Sequence, residues 1–293
     1  MVNFGNLLTA MVTPFKDDLS VDYAMAEKLA AHLVETGSDG LVLHGTTGES
    51  PTLTHTEEYE LYRVVKKAVG KNCKIIAGTG SNSTATTINS TKEAEKIGVD
   101  GAMIVTPYYN KPPQEALYQH FKAVADNTGL PLIVYNVPGR TAKNVETPTI
   151  ARLAGVKNIV AVKEASGNLD QVAEVRAATP KDFIIYSGDD NLTLPIMERG
   201  GIGVISVAAH LVGKDMKEMI NLQLQGKTAE AQAINKKLAG IFEAIFVTTN
   251  PIPVKAALAM IGWPVGGLRL PLIEANDQEK EVVKAALKGL GLA

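Results

Sequence analysis

Short apolar runs recur along the chain, each followed by a longer segment in which apolar residues return every three or four positions. The runs span residues 7–13, 40–45, 74–78, 101–106, 130–135, 159–163, 183–187 and 202–207. Runs this short, rich in Val and Ile and with few polar breaks, predict strands buried on both faces. The segments 22–36, 56–69, 84–97 and 113–127 carry helical spacing, with Ser20, Thr54 and Ser81 or Ser83 as candidate caps. Strand followed by helix, eight times over roughly 210 residues, predicts a (β/α)8 TIM barrel. A doubly wound open sheet would more naturally place a glycine-rich turn after the first strand, where this chain has Thr13-Pro14-Phe15. Past Val212 the pattern changes. Segments 214–225, 228–247, 251–260 and 278–290 all read as helical with no strand between them. The expected organisation is a barrel domain, residues 1–225, and a small C-terminal helical domain, residues 226–293, broken into pieces by Pro251, Pro253 and Pro264.

The sixth run contains a lysine. Strand geometry puts Val160, Val162 and Glu164 on one face and Ile159, Ala161 and Lys163 on the other. Ser166-Gly167-Asn168 closes the strand, so Lys163 stands near its C-terminal end. A buried ammonium is costly unless it is paired or its pKa falls. Lys163 is therefore either a structural ion-pair partner or a nucleophilic amine.

Barrel active sites form where strands end and the following loops begin. At those ends stand Gly45-Thr46-Thr47-Gly48-Glu49-Ser50, Thr106-Pro107-Tyr108-Tyr109-Asn110, Tyr135-Asn136-Val137-Pro138-Gly139-Arg140-Thr141, Ser187-Gly188-Asp189-Asp190 and Ala208-Ala209-His210. Two hydroxyls between glycines suit close backbone approach to a small anion or carbonyl, although the same residues also make ordinary turns. Together the set describes a carbonyl-condensing site. A lysine near its free pKa of ~10.4 is a poor nucleophile, but burial lowers it towards roughly 7–8 and makes it a Schiff-base former. Tyr135, one strand away, could shuttle protons. The Thr46 and Thr47 hydroxyls could relay that proton and hold a carboxylate. Arg140 could clamp a second carboxylate through a bidentate pair. No cofactor is required, because an iminium itself withdraws electrons.

The remaining composition narrows the field. A net charge of -2 gives no electrostatic case for nucleic acid or an anionic membrane. No run approaches about 18 apolar residues, and the N-terminus lacks a charged region followed by an apolar core, so the cytoplasm is the expected location. The five histidines, His32, His44, His55, His120 and His210, show no HxH or HExxH spacing, and no metal site is expected. The single cysteine, Cys73, reads as a small semi-buried apolar residue before a strand. His44 has no assignable role and reads as a packed neutral histidine. Gly200-Gly201-Ile202-Gly203 could cradle a phosphate, but it precedes the eighth strand and so lies at the wrong end of the barrel.

These motifs, with Val162-Lys163-Glu164-Ala165-Ser166-Gly167-Asn168, Gly203-Val204-Ile205-Ser206 and Asn250-Pro251-Ile252-Pro253-Val254-Lys255, resemble the dihydrodipicolinate synthase family nearly end to end. That family lies in the N-acetylneuraminate lyase superfamily of class I aldolases. The resemblance implies a barrel with a C-terminal helical domain, usually a homotetramer. It implies condensation of pyruvate with L-aspartate-4-semialdehyde to 4-hydroxy-tetrahydrodipicolinate, in diaminopimelate and lysine biosynthesis. It implies Lys163 as the Schiff-base lysine, Tyr135 as general acid/base, Thr46 as the relay threonine and Thr47 as a holder of the pyruvate carboxylate. By the same resemblance Tyr109 is a relay tyrosine crossing into a neighbouring subunit's site, and Arg140 receives the semialdehyde carboxylate. Gly188 and Ile205 line the pyruvate pocket. Ser50, His55, Asn82 and Tyr108 match the lysine-sensing site of lysine-inhibited members. Glu58 replaces a histidine there and Thr86 replaces a glutamate, so weak or absent lysine inhibition is expected. Arg140 separates this reading from a pyruvate-dependent sugar-acid aldolase, where an arginine is not expected. A non-catalytic barrel binding a small carboxylate would leave a desolvated lysine unexplained.

Overall fold

Parallel strands covered on both faces have no polar side to show, and the apolar runs become strands for that reason. The computed structural model describes residues 2–293. Its strands are β1 (Leu7–Ala10), β2 (Gly40–Leu43), β3 (Lys74–Gly78), β4 (Gly101–Val105), β5 (Leu132–Asn136), β6 (Ile159–Glu164), β7 (Ile184–Ser187) and β8 (Gly203–Ser206). They close in chain order into one parallel barrel, with β8 pairing back onto β1. Alternation sorts the strand residues into two apolar layers. Leu8, Val42, Ile76, Met103, Ile133, Ala161 and Ile205 pack inside the barrel. Leu7, Leu41, Ile75, Ile104, Val134, Val162 and Val204 face the surrounding helices.

The helices outside the barrel are α1 (Tyr23–Glu35), α2 (His55–Val69), α3 (Thr84–Ile97), α4 (Gln114–Ala125), α5 (Pro138–Thr141), α6 (Thr147–Leu153), α7 (Leu169–Ala178), α8 (Thr193–Met197) and α9 (Ala209–Leu224). Then come α10 (Thr228–Ala244), α11 (Ile252–Met260) and α12 (Asp277–Gly289), with no strand among them. α12 packs on α10 and α11, and α10 lies along α9. Phe242, Ile245, Val283 and Leu287 join the same apolar cluster as Met216 and Ile220, so the C-terminal helices share the core of the barrel's outer layer. Among the described residues no helix is long and apolar enough to cross a membrane.

Three local expectations change. Regular alternation along β6 fails at its start. Leu132 pairs with Ile159 but Ile133 pairs with Ala161, so Val160 is an extra residue in the ladder. Ile159 therefore packs outward and Val160 inward, the reverse of a regular strand, before Ala161 and Val162 resume the expected faces. Ser20 does not cap α1. Its hydroxyl is spent on Asp18, and Asp22 accepts the Met25 N–H instead. Thr54 and Ser83 do cap α2 and α3, Thr54 in a reciprocal capping box with Glu57. The helix expected over 214–225 begins earlier, at Ala209, with a kink at Val212. His210 explains that start. It accepts the Val12 N–H at Nε2 and bonds the Val207 carbonyl through Nδ1, tying the chain after β1 to the end of β8. Burial pushes His210 down to about 4, so it is neutral.

Cys73 is buried just before β3, and its thiol is pushed up to about 12, chiefly by burial.

Candidate active site

Lys163 enters the barrel interior beneath the mouth of the C-terminal rim. The β5–β6 register sets it beside Tyr135, and the β6–β7 register sets it beside Tyr186. It is 5% exposed, and its Nζ lies 4.2 Å from the centroid of the Tyr135 ring. Among the described residues it makes no salt bridge, which removes the ion-pair reading of this lysine. Burial lowers its pKa from 10.5 to about 8, and Arg140 adds to the fall. Asp189 and Asp190 oppose it from longer range.

The two flanking tyrosines have different uses. The Tyr186 hydroxyl donates to the Gly5 carbonyl at 2.8 Å, so its ring walls the site while its polar end is committed elsewhere. The Tyr135 phenol is pushed up to about 12, mainly by burial, while Arg140 and a hydrogen bond with Thr46 act against the rise. A phenol in that state keeps its proton at neutral pH and can hand it on through the Thr46 hydroxyl. Thr46 is the threonine that hydrogen-bonds Tyr135, and Thr47 has a different partner. The Thr47 hydroxyl is buried and accepts a hydrogen bond from Asn250 Nδ2 at 2.9 Å. Arg140, on the exposed turn of α5, reaches the Asn250 carbonyl with Nη2 at 3.4 Å.

Gly188 has a steric reason to be glycine. A Cβ there would lie 2.6 Å from the Ala165 Cβ and 3.1 Å from the Lys163 Cε. Its N–H also donates to the Glu164 carbonyl at 2.7 Å, which holds the loop after β7 against the lysine's strand. Ile205 is fully buried in the inner apolar layer with Tyr135 and Tyr186, so it forms packed floor. The next residue but one to Gly188 is Asp190, which binds the Ser206 hydroxyl and the Val207 and Ala208 N–H groups and so fixes the loop after β8.

A cavity of about 320 Å³ opens from this rim. Thr46, Tyr135 and Arg140 line it, together with Ser50, His55, Glu58, Thr86 and Tyr108. Lys163 is not in its lining, although its Nζ sits over the ring of Tyr135, which is. Asn82 is also not in the lining, and its carbonyl accepts from Asn110. Glu58 is buried. Its Oε1 accepts the Tyr62 hydroxyl at 2.9 Å and its Oε2 meets His55 Nδ1 at 3.0 Å. His44 is packed, with its side chain 13% exposed, but it is also part of the cavity wall. It lines the cavity with φ of 57°, bonds the Gly78 carbonyl through Nδ1, and lies 3.4 Å from Glu58. Tyr109, also at positive φ, is 89% exposed, and this protomer does not bring it to the other site residues. Among the described residues no group of three or more His, Cys, Asp or Glu is placed to hold a metal ion.

The sequence matches the Dihydrodipicolinate synthetase family over residues 3–290. The chain belongs to that family. Family members similar to it include the 4-hydroxy-tetrahydrodipicolinate synthase of a Cyanothece species, 56% identical over the full length of both chains. The enzyme of that name from Moorella thermoacetica is 55% identical over 99% of this chain and 100% of its own. Among solved structures, DHDPS from Cyanidioschyzon merolae with lysine bound superposes with a TM-score of 0.98, at 51% identity over 99% of each chain. The chloride-inhibited dihydrodipicolinate synthase of Acinetobacter baumannii, complexed with pyruvate, gives 0.97 at 40% identity over 99% of this chain and 100% of its own. The barrel with C-terminal helices is therefore the family fold.

Two residues near the site had no role in the sequence reading. Asp189 follows Gly188 and acts electrostatically on both Lys163 and Arg140, which in turn hold its raised pKa down against burial. Its position in the loop after β7 was a usable signal. Asn250 opens a motif shared with the family, but its contact with Thr47, 203 residues away in sequence, had no local signal.

Proposed function

We propose that Lys163 is the residue that carries the covalent chemistry of this chain. The chain is a lyase that condenses pyruvate with L-aspartate-4-semialdehyde through a Schiff base, giving 4-hydroxy-tetrahydrodipicolinate for diaminopimelate and lysine synthesis. The observation that carries the Lys163 assignment is a buried lysine at the C-terminal end of β6 with no carboxylate partner and a lowered pKa, set against Tyr135.

The steps follow from those positions. Neutral Lys163 Nζ attacks the pyruvate ketone carbon, and the carbinolamine loses water to give the imine. Tyr135 supplies and recovers the protons, exchanging them through Thr46. Thr47 holds the pyruvate carboxylate. Loss of a methyl proton turns the imine into an enamine, whose carbon attacks the semialdehyde while Arg140 receives the semialdehyde's carboxylate. The substrate's own amine then attacks the imine carbon, closes the ring and releases Lys163. Tyr109 completes the relay in a neighbouring subunit of a homotetramer, and its 89% exposure in one protomer supports that role. The protein is cytoplasmic, and its helical domain begins near Gly226, where the backbone turns through positive φ between α9 and α10.

Borohydride reduction in saturating pyruvate should add a reduced pyruvyl group to the Lys163 peptide; an unmodified Lys163 would sink the assignment. In a coupled assay with both substrates, Arg140→Ala should raise the KM for the semialdehyde at least about tenfold while pyruvate trapping persists. Equal kinetics in the variant would remove Arg140 from the substrate site.

Lysine inhibits this enzyme weakly or not at all. Thr86 offers no carboxylate to a ligand's ammonium, and Glu58 has both oxygens engaged by Tyr62 and His55. Strong inhibition at submillimolar lysine would refute this.

A further inference from the structure

The Gly45-to-Ser50 turn that carries the Thr46 and Thr47 hydroxyls is tied to the C-terminal helical segment at two buried points. At the first, Lys255 of α11 meets Glu49 at 2.6 Å with both side chains 2% exposed or less, and Lys255 also donates to the Gly267 carbonyl. Glu49 is held from its other oxygen by the Arg269 N–H at 3.0 Å. At the second, Asn250, just ahead of α11 and 5% exposed, donates from Nδ2 to the Thr47 hydroxyl oxygen. The Asn250 carbonyl faces Arg140, so one residue bridges the groups read as holding the two substrates' carboxylates. Its Oδ1 is buried without a partner.

A hydroxyl has one proton to give and two lone pairs to receive with. Asn250 occupies a lone pair of Thr47, and the proton has no acceptor among the described residues. An oxygen that is already accepting from an amide directs its own O–H away from that amide. In this turn that leaves the Thr47 proton for an incoming anion. We infer that Asn250 is a positioning residue for pyruvate: it acts through Thr47, fixing that hydroxyl as a donor to the pyruvate carboxylate. The inference rests on the reading of Thr47 as the carboxylate holder.

The two can be separated by measuring the pyruvate concentration that half-saturates borohydride trapping on Lys163, which needs no second substrate. Asn250→Asp keeps the shape but supplies a carboxylate that takes the Thr47 proton and repels pyruvate. It should raise the midpoint at least about tenfold, with kcat at saturating pyruvate within about threefold of the parent. Asn250→Ala should raise it by a smaller factor. In a Thr47→Val background, which removes the hydroxyl and keeps the volume, Asn250→Ala should add no further change. Equal factors for Asn250→Ala in both backgrounds, or an unshifted midpoint in Asn250→Asp, would overturn the inference alone. An unshifted midpoint in Thr47→Val would overturn the Thr47 reading and the inference with it. If Asn250→Ala does not fold, Asn250→Leu, close in size, uncharged and without a side-chain N–H, carries the same test in the two Thr47 backgrounds.

Discussion

Two lysines of this enzyme are buried to almost the same degree, Lys163 at 5% and Lys255 at 2% exposure, and burial lowers the pKa of each. Their company differs. Lys255 has the Glu49 carboxylate at 2.6 Å, a backbone carbonyl, and the Phe15 ring beneath it at 4.2 Å. Lys163 has an aromatic ring at the same distance and no paired anion. Burial alone does not make a nucleophile. A buried ammonium with a bonded carboxylate is held charged and inert, and the same group without one is poised to lose its proton. On the proposed reading of Lys163, its reactivity is set by the withheld counter-ion.

Exchanging each lysine for an apolar isostere breaks the comparison most sharply. Lys163→Met should lower kcat by at least about a thousandfold and abolish pyruvate trapping, yet it should stabilise the fold. Folded Lys163 gives up its proton near 8 instead of 10.5, so below pH 8 the residue costs the fold about 3 kcal/mol, a cost that fades as pH rises to 10.5. Denaturant unfolding at pH 7 should show a gain in that direction. Lys255→Met should do the opposite and destabilise by about 3–5 kcal/mol, because Glu49 is left buried and unpaired. Destabilisation by both substitutions would mean that Lys163 has a hidden partner.

Gly188→Ala sharpens the contrast at Lys163 itself. The added methyl would press on the Ala165 Cβ and the Lys163 Cε, and should cost about 1–3 kcal/mol of stability while slowing trapping. A parent-like trapping rate would mean the lysine does not depend on that close approach. The smallest effect is in the pH profile. At pH 7 about a tenth of Lys163 is neutral, against about one part in three thousand for a lysine at its ordinary pKa. Deprotonation is the productive event, so kcat/KM for pyruvate should climb with pH through 7 and level off above about 8. A profile still climbing at pH 10 would place Lys163 in an ordinary environment.

Much of this was legible in the chain because a barrel strand covered on both faces must be written as an apolar run. Lys163 stood out as the charged exception in such a run. What the runs could not carry was the company each side chain would keep. The extra residue at Val160 depends on register with β5, and Asp22 rather than Ser20 caps α1 because Asp18 already holds the Ser20 hydroxyl. The Lys255–Glu49 pair and the Asn250–Thr47 bond join segments from opposite ends of the sequence, where no local pattern announces a contact. Tyr109 is a further case, since it stands 89% exposed and meets none of the other site residues within the protomer.

The tie between the early turn and the late helix also sets an order of events during synthesis. A ribosome makes Thr47 and Glu49 first and supplies Asn250 only 203 residues after Thr47. Until then a growing chain can close strand against strand, but it holds a carboxylate with no cation to bury against and a hydroxyl with no fixed direction. On the reading of Thr47 as the carboxylate holder, competence for pyruvate arrives last, with the final part of the polypeptide, and a prematurely released barrel would be a shape without a working mouth.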